Sequence, residues 1–170
     1  MPTPQTAFHA PTLVIGCGNP LRGDDAVGVE VVRQLAARPL PPHVRLLDAG
    51  TSGLEVTLAM RDAARIYFID AATAAVAPHA CPGRIHEVAP ENLPGYDQPP
   101  AAGVSIHSIR WDQALALART LAADRPLPPV SCFLIEGSAF AHGAPLSPEV
   151  AAAAKCLADT LFQRLCGTGV

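Results

Sequence analysis

Residues 12–25, TLVIGCGNPLRGDD, pass from an apolar run through a glycine-bounded loop to a pair of acids. The continuous apolar run 12–17 is typical of a strand that is buried on both faces of a parallel sheet. Beyond Asp25, and as far as Pro39, apolar residues recur at helical spacing: Val27, Val31, Val32 and Leu35. The segment therefore predicts a strand, a loop and a helix, with Asp24 or Asp25 as the helix cap.

The same alternation of strand-length apolar runs and helical periods continues to the end of the chain. We predict further strands at 44–47, 66–69, 84–88 and 130–135, and helices at 54–60, at 111–121 and from Pro148 onward. The order β-α-β-α-β-β-α-β-α favours an α/β fold, a three-layer α/β/α sandwich whose mostly parallel sheet has helices on both faces. Residues 1–170 show neither a repeat nor a linker, so we expect a single domain, with residues 1–11 as a flexible N-terminal extension.

The composition narrows the class of protein. Hydrophobic residues make up 49% of the chain and charged residues 16%, which is too apolar for a disordered protein. The net charge of -3 gives no basic surface, so we expect no nucleic acid and no membrane as partners.

The pattern of a secretory signal is missing and no apolar run approaches the ~18 residues of a membrane span, so we expect a cytoplasmic protein. Five cysteines without a close pair predict buried, reduced thiols.

Small and polar residues follow three of the predicted strands, at 18–25, at 48–53 and at Asp70. Open α/β sheets bind ligands in the crevice beyond the carboxyl ends of their strands. The glycines that bound 18–23 match the start of a phosphate-binding loop, but Asp24 and Asp25 replace the lysine and hydroxyl residue that it requires. Two negative charges at a helix N-terminus also oppose anion binding. We therefore expect no nucleotide and no other organic cofactor.

Carboxylates at the edge of a sheet suit a cation instead. Asp25 or Asp24 can converge with Asp70 from the neighbouring loop, and His107 precedes the predicted helix at 111–121. Two oxygens and an imidazole nitrogen are compatible with a borderline divalent metal such as nickel or zinc. The structural alternatives are a helix cap, a turn residue at the end of a strand and one of six histidines.

Two common hydrolase motifs are incomplete in this chain. Residues 86–90, HEVAP, begin like the zinc motif H-E-x-x-H but have Pro90 where the second histidine is required. Residues 50–53, GTSG, are too short for the nucleophile elbow G-x-S-x-G. The sequence therefore offers neither a stored zinc ion nor a serine nucleophile.

Residues 16–28, GCGNPLRGDDAVG, resemble the opening motif of the hydrogenase maturation proteases, G-N-x-L-x-x-D-[DE]-x-x-G after an apolar strand. Residues 48–53, DAGTSG, resemble the second motif of that family, D-[GA]-G-T-x-G. Residues 69–71 resemble the end of the family's third strand, and His107 stands where the family has its histidine. The resemblance therefore spans nearly the whole chain in the right order.

This resemblance implies a five-stranded sheet and an endopeptidase that removes the C-terminal extension of a nickel-iron hydrogenase large-subunit precursor after nickel insertion. It implies that Asp25, Asp70 and His107 bind a nickel ion, which the precursor supplies. Several relatives carry Glu at the position of Asp25, and Asp is one methylene shorter. Three other histidines are alternatives to His107, although their order in the chain is less suitable: His79, His86 and His142.

The attacking group and the substrate contacts complete the set of expectations. The attacking water is polarised by nickel or activated by Asp48, which could equally be a residue that stabilises its loop. We expect four residues of the first two loops to face the substrate: Asn19, Asp24, Gly50 and Thr51. Two other classes of function stay open, a non-proteolytic nickel-binding hydrogenase assembly chaperone and a different small hydrolase on the same framework.

Overall fold

The computed structural model describes residues 10–73, 81–93, 96–98, 111–122 and 126–167. Most of the predicted N-terminal extension lies outside these ranges, whereas the carbonyl of Pro11 already accepts the backbone N–H of Ala64 at 2.8 Å. The described elements are, in chain order, β1 Thr12–Cys17, α1 Val27–Ala36, β2 Val44–Gly50, α2 Gly53–Ala59, β3 Arg65–Thr73, β4 Ile85–Val88, α3 Trp111–Ala122, β5 Val130–Gly137 and α4 Pro148–Gly167.

The five strands form one sheet in the order β2-β1-β3-β5-β4. Four of them run parallel, and β4 pairs antiparallel with β5. This confirms the predicted α/β fold with a mostly parallel sheet. The chain winds from β1 outward to β2 and then returns to the other side of β1 as β3, so the switch in winding direction lies between β1 and β3. Ligands of such sheets bind at this switch, beyond the carboxyl ends of the strands.

Helices cover both faces of the sheet and enclose two apolar cores. On one face α1 packs against α4, and on the other α2 packs against α3. The first core takes its side chains from α1, α4 and one side of the strands, and it includes Val31, Leu35 and Leu161 at 0% exposure. The second core includes Ile15, Phe68 and Leu115 from the opposite side. Burying both faces explains why the central strands are continuous apolar runs.

Two glycines bring the start of α1 directly onto the sheet. A Cβ atom on Gly16 would overlap the carbonyl oxygen of Gly28, and one on Gly28 would overlap the carbonyl oxygen of Ile69. Hydrogen at both positions therefore allows the helix backbone to contact the strand backbone. This contact holds Asp25, three residues before Gly28, at the carboxyl end of β1.

Three predicted strands extend further than expected, and in β5 the extension takes in Glu136 and Gly137. β2 continues through Asp48 to Gly50, and β3 continues through Asp70 to Thr73. Both acids keep strand pairing, since Asp48 lies opposite Gly16 and Asp70 lies opposite Leu134. A polar side chain does not end a strand while its backbone still has a partner.

Two further details differ from expectation. Neither Asp24 nor Asp25 caps α1, because a 3-10 turn at Gly23–Ala26 precedes the helix and no side chain bonds to its first turn. Only Cys17 and Cys132 are buried, while the other cysteines are exposed and all are free: Cys81, Cys156 and Cys166. Across the described ranges, we find no helix that is both long and apolar enough to span a bilayer.

Candidate functional site

The backbone carbonyl of Asp25 and the side chain of Asp70 both lie beside Gly18, the first residue after β1. Gly18 has a φ of 119°, and its N–H donates to the carbonyl of Gly50 at 2.8 Å. A Cβ atom at this position would overlap the carbonyl oxygen of Asp25 and would lie 3.5 Å from Oδ1 of Asp70. Glycine is needed here for its positive φ and for this close approach. The two predicted ligands thus flank the same residue at the switch point of the sheet.

Asp70 lies on the face of β3 that carries Phe68, the face covered by α2 and α3. Its Oδ1 accepts the backbone N–H of Ala71 at 2.8 Å, and the side chain is half-buried. Cys17 is beneath the same crevice: burial and the negative charge of Asp70 together raise the pKa of the Cys17 thiol well above its ordinary value. This thiol therefore stays protonated near neutral pH.

Asp25 belongs to a loop that its own first residues shape. Its Oδ2 accepts the N–H of Asn19 at 3.1 Å, and Oδ1 of Asn19 accepts the N–H of Leu21 at 2.9 Å, which closes an Asx turn. Asp25 is half-buried, unlike its neighbour Asp24, which is fully buried. Asn19, predicted to face the substrate, thus also determines the position of the Asp25 carboxylate.

Asp24 anchors the same loop from within the protein. Its side chain is 0% exposed, and it accepts four hydrogen bonds between 2.7 and 3.1 Å, from the N–H groups of Ser138, Ala139 and Ser147 and from the hydroxyl of Ser147. Burial alone would raise the pKa of Asp24, but these bonds hold it below its ordinary 3.8. Asp24 was predicted to face the substrate, and here its carboxylate is enclosed by the loop that follows β5.

We expect Asp24→Asn to lower the free energy of unfolding by about 3 kcal/mol, because an amide nitrogen would replace an acceptor and leave buried N–H groups unpaired. Since the folded-state pKa is lowered, the contribution of Asp24 is fully present above the unfolded-state pKa of ~3.9 and is lost as pH falls through the folded-state pKa. Chemical denaturation between pH 2 and 7 should therefore show weaker acid destabilisation in the variant. Asp25→Asn affects one hydrogen bond, from the N–H of Asn19, and should change the free energy of unfolding by less than about 1 kcal/mol. Equal losses in both variants would contradict this role of Asp24.

Asp48 lies on the other face of the sheet. It shares the side of β2 that carries Val44 and Leu46, which pack in the core beneath α1 and α4. Its Oδ2 lies 3.5 Å from Nη2 of Arg33 in α1, and both side chains are largely exposed. The structure therefore does not bring Asp48 together with Asp70.

The second loop contributes two of the predicted substrate residues. Gly50, with a φ of 49°, binds Gly18 through its carbonyl and so joins the first two loops. Thr51 follows as an exposed turn residue. Both lie beside the switch point.

The predicted histidine ligand, His107, lies outside the described residues, as does His79. His142 is exposed in the loop after β5, and Nε2 of His86 lies 2.6 Å from Oε1 of Glu136. Among the described ranges, no three His, Cys, Asp or Glu side chains form a cluster that could hold a metal. The carboxylates of Asp25 and Asp70 thus lie beside the neighbouring residues Asn19 and Gly18, and their role as metal ligands, like that of His107, stays a prediction.

The pattern of residues did not single out Glu136 or the loop at 138–147. Glu136 is 4% exposed, and the visible signal was one acid in the otherwise apolar run 132–137, CFLIEG. The loop carries no motif, yet its backbone holds residues 21–24: the N–H of Gly143 donates to the carbonyl of Leu21 at 2.8 Å, and that of Asp24 donates to the carbonyl of Ala139 at 2.7 Å.

Comparison with known proteins gives consistent results. Residues 29–164 match a family described as hydrogenase maturation protease. The chain is 37% identical over 83 residues to the hydrogenase 2 maturation protease of Escherichia coli, covering 48% of this chain and 49% of that protein. It is 30% identical over 110 residues to the hydrogenase expression/formation protein HupD of Rhodobacter capsulatus, covering 64% and 50%. The chain thus spans about half the length of these curated relatives.

Solved structures extend the likeness over the whole fold. The hydrogenase maturating endopeptidase HybD from Escherichia coli superposes with a TM-score of 0.72 at 25% identity, covering 94% of each chain. A hydrogenase 2 maturation peptidase from a Thaumarchaeota archaeon superposes with a TM-score of 0.64 at 27% identity, covering 91% of this chain and 97% of that one.

Proposed function

This chain belongs to the hydrogenase maturation protease family, and on that premise we propose that it is an endopeptidase that trims the C-terminal extension of a nickel-iron hydrogenase large-subunit precursor after nickel insertion. The observation that supports it best is that the carboxylates of Asp70 and Asp25 lie beside consecutive residues, Gly18 and Asn19, at the switch point of the sheet. Two half-buried carboxylates in this crevice provide oxygen ligands for a divalent metal that another protein presents.

Nickel enters this proposal as part of the substrate. Asp25, Asp70 and His107 provide two carboxylates and one imidazole, an open set without the thiolates that hold a borderline ion firmly. The precursor brings the ion with its own ligands, and the three side chains complete the coordination. Recognition of the metal and recognition of the client then become one event.

The attacking water is better assigned to nickel than to Asp48. A divalent metal lowers the pKa of a bound water and polarises a carbonyl. Asp48 is on the opposite face of the sheet from Asp70 and pairs with Arg33, so it is poorly placed to activate a water at the same metal. In the step itself, the water oxygen bonds to the peptide carbonyl carbon, the C–N bond breaks, and the leaving amine takes up a proton.

The rim of the crevice offers surfaces for the client protein. Leu21 is 59% exposed although the neighbouring backbone is held by the Asx turn and by Gly143, and exposed Thr51 follows Gly50 on the adjacent loop. A rigid apolar contact binds a partner at a small cost in conformational entropy. The proposal places the reaction in the cytoplasm, where unpaired cysteines persist, as they do throughout this chain.

Incubation with a purified nickel-loaded precursor tests the proposed activity. We expect intact-mass spectrometry to show loss of one C-terminal peptide from the precursor, at a rate that scales with the amount of this protein. Asp25→Asn should leave the precursor mass unchanged over the same time. Formation of a stable nickel-containing complex without any cleavage would instead identify an assembly chaperone.

A further inference from the structure

A buried carboxylate holds a half-exposed histidine near the candidate site. Glu136, at the carboxyl end of β5, is 4% exposed, and its Oε2 accepts the backbone N–H of Cys81 at 2.7 Å. Its Oε1 lies 2.6 Å from Nε2 of His86 on β4, whose side chain is 40% exposed. Burying a carboxylate costs free energy unless its oxygens are hydrogen-bonded. The backbone N–H of Cys81 and the imidazole of His86 supply one partner to each oxygen of Glu136.

The bonding defines the proton positions on the imidazole. The Cys81 N–H and His86 together hold the pKa of Glu136 below its usual range, so the carboxylate is ionised near neutral pH. An ionised carboxylate only accepts hydrogen bonds, and Nε2 of His86 must therefore carry the proton between them. In the neutral imidazole, Nδ1 then has a lone pair and can take up or release a proton.

The strand register puts His86 on the same face and at the same end of the sheet as Asp70. Asp70 lies opposite Leu134, and Leu134 lies opposite His86, so the three residues form one row across β3, β5 and β4. With neighbouring strands about 4.8 Å apart, the α-carbons of His86 and Asp70 are about 10 Å apart along this row. At ligand distances of about 2.1 Å, a water on a metal that Asp70 binds can lie between the two side chains.

The charged surroundings of His86 come from three elements. Glu136 contacts it from β5, Asp70 lies two strands away on the same face, and Arg84, in the turn before β4, is close enough to Glu136 to help lower the pKa of that carboxyl. Glu87, the next residue, lies on the opposite face and pairs with Arg164 of α4 at 2.9 Å.

We propose that His86, positioned by Glu136, transfers the proton in peptide cleavage, an inference that rests on the proposed protease function. Asp25 and Asp70 bind nickel in that function and cannot also carry protons. Nδ1 of His86 receives the proton that the attacking water releases and gives it to the nitrogen of the leaving amine. The water thereby contributes OH to the new carboxyl end and H to the amine, with no other reactant. Positioned acid-base groups contribute roughly 10²- to 10⁴-fold to such steps.

A comparison of His86→Gln with Glu87→Gln tests this role. The glutamine amide can still donate to Glu136 but cannot transfer the proton, so we expect kcat to fall about 100-fold with KM and the binding of nickel-loaded precursor unchanged. The pH profile of kcat should lose one limb.

Glu136→Gln should lower kcat less and shift that limb. Glu87→Gln, on the opposite face, should keep both kcat and the pH profile. For a variant that keeps the space open, His86→Ala should regain activity when imidazole is added.

The outcomes separate this inference from the function on which it rests. An unchanged kcat and pH profile in His86→Gln, with a cleaving parent protein, would reduce the pair to a structural role while leaving the protease assignment intact. Loss of precursor binding in His86→Gln would make His86 a metal ligand instead. Absence of cleavage by the parent protein would overturn the proposed function and this inference with it.

Discussion

Asp25→Asn and Asp70→Asn should each slow precursor cleavage by about 100-fold or more and change the free energy of unfolding by less than about 1 kcal/mol. The amide keeps an oxygen for the N–H of Asn19 or of Ala71, so the loop and the strand end retain their bonds. It lacks the negative charge that binds the metal, and metal polarisation contributes several kcal/mol to the transition state, with each 1.36 kcal/mol equal to tenfold in rate. His107→Ala should be as inactive. Single-turnover cleavage and chemical denaturation measure the two effects.

Matched variants separate loss of the site from loss of the fold. Asp62→Asn changes an exposed acid in the turn before β3, at the opposite end of the sheet, and should leave cleavage unaltered. Leu161→Ala, in the core between α4 and the sheet, should cost about 2 to 4 kcal/mol of stability while the folded fraction keeps its activity. Full activity in Asp70→Asn would show that the metal is not bound there.

The sequence predicts the order and type of the elements well because these depend on local apolar patterns. The strand boundaries were less accurate because Asp48 and Asp70 looked like loop residues. Their backbones nevertheless stay paired with Gly16 and Leu134. The error matters for function, since in a strand the alternation of side chains puts Asp48 on the face of α1, away from Asp70. In a loop that orientation would have been undetermined.

Contacts between distant parts of the chain could not be predicted from local sequence patterns. Helix-capping rules are local and assigned Asp24 or Asp25 to the start of α1, whereas the partners of Asp24 lie 114 to 123 residues further along the chain. The pairing of His86 with Glu136, 50 residues apart, likewise depends on the register of β4 against β5. By contrast, the placement of Asp25 and Asp70 on either side of Gly18 was predictable, because β1 and β3 are adjacent parallel strands whose carboxyl ends lie at the same edge of the sheet.

Cleavage should also depend strongly on nickel in the precursor, and this is the second large effect that we expect. The Asp25 carboxylate lies at the N–H of Asn19, the Asp70 carboxylate lies beside Gly18, and the predicted third ligand is an imidazole. Such a set does not hold the ion firmly by itself, so the purified protein should contain little metal. Removing nickel from the precursor should then remove both a binding contact and the polarised water. Nickel added to this protein alone should not restore the lost rate.

The most direct measurement compares, under single-turnover conditions, the cleavage rates of one precursor in nickel-loaded and nickel-free form. We expect the nickel-loaded form to be cleaved at least about 100-fold faster, since metal polarisation contributes several kcal/mol. We also expect Asp25→Asn and Asp70→Asn to remove most of that difference by slowing only the loaded form. Equal rates for the two forms would show that the protein recognises the polypeptide without the metal, and would contradict the account.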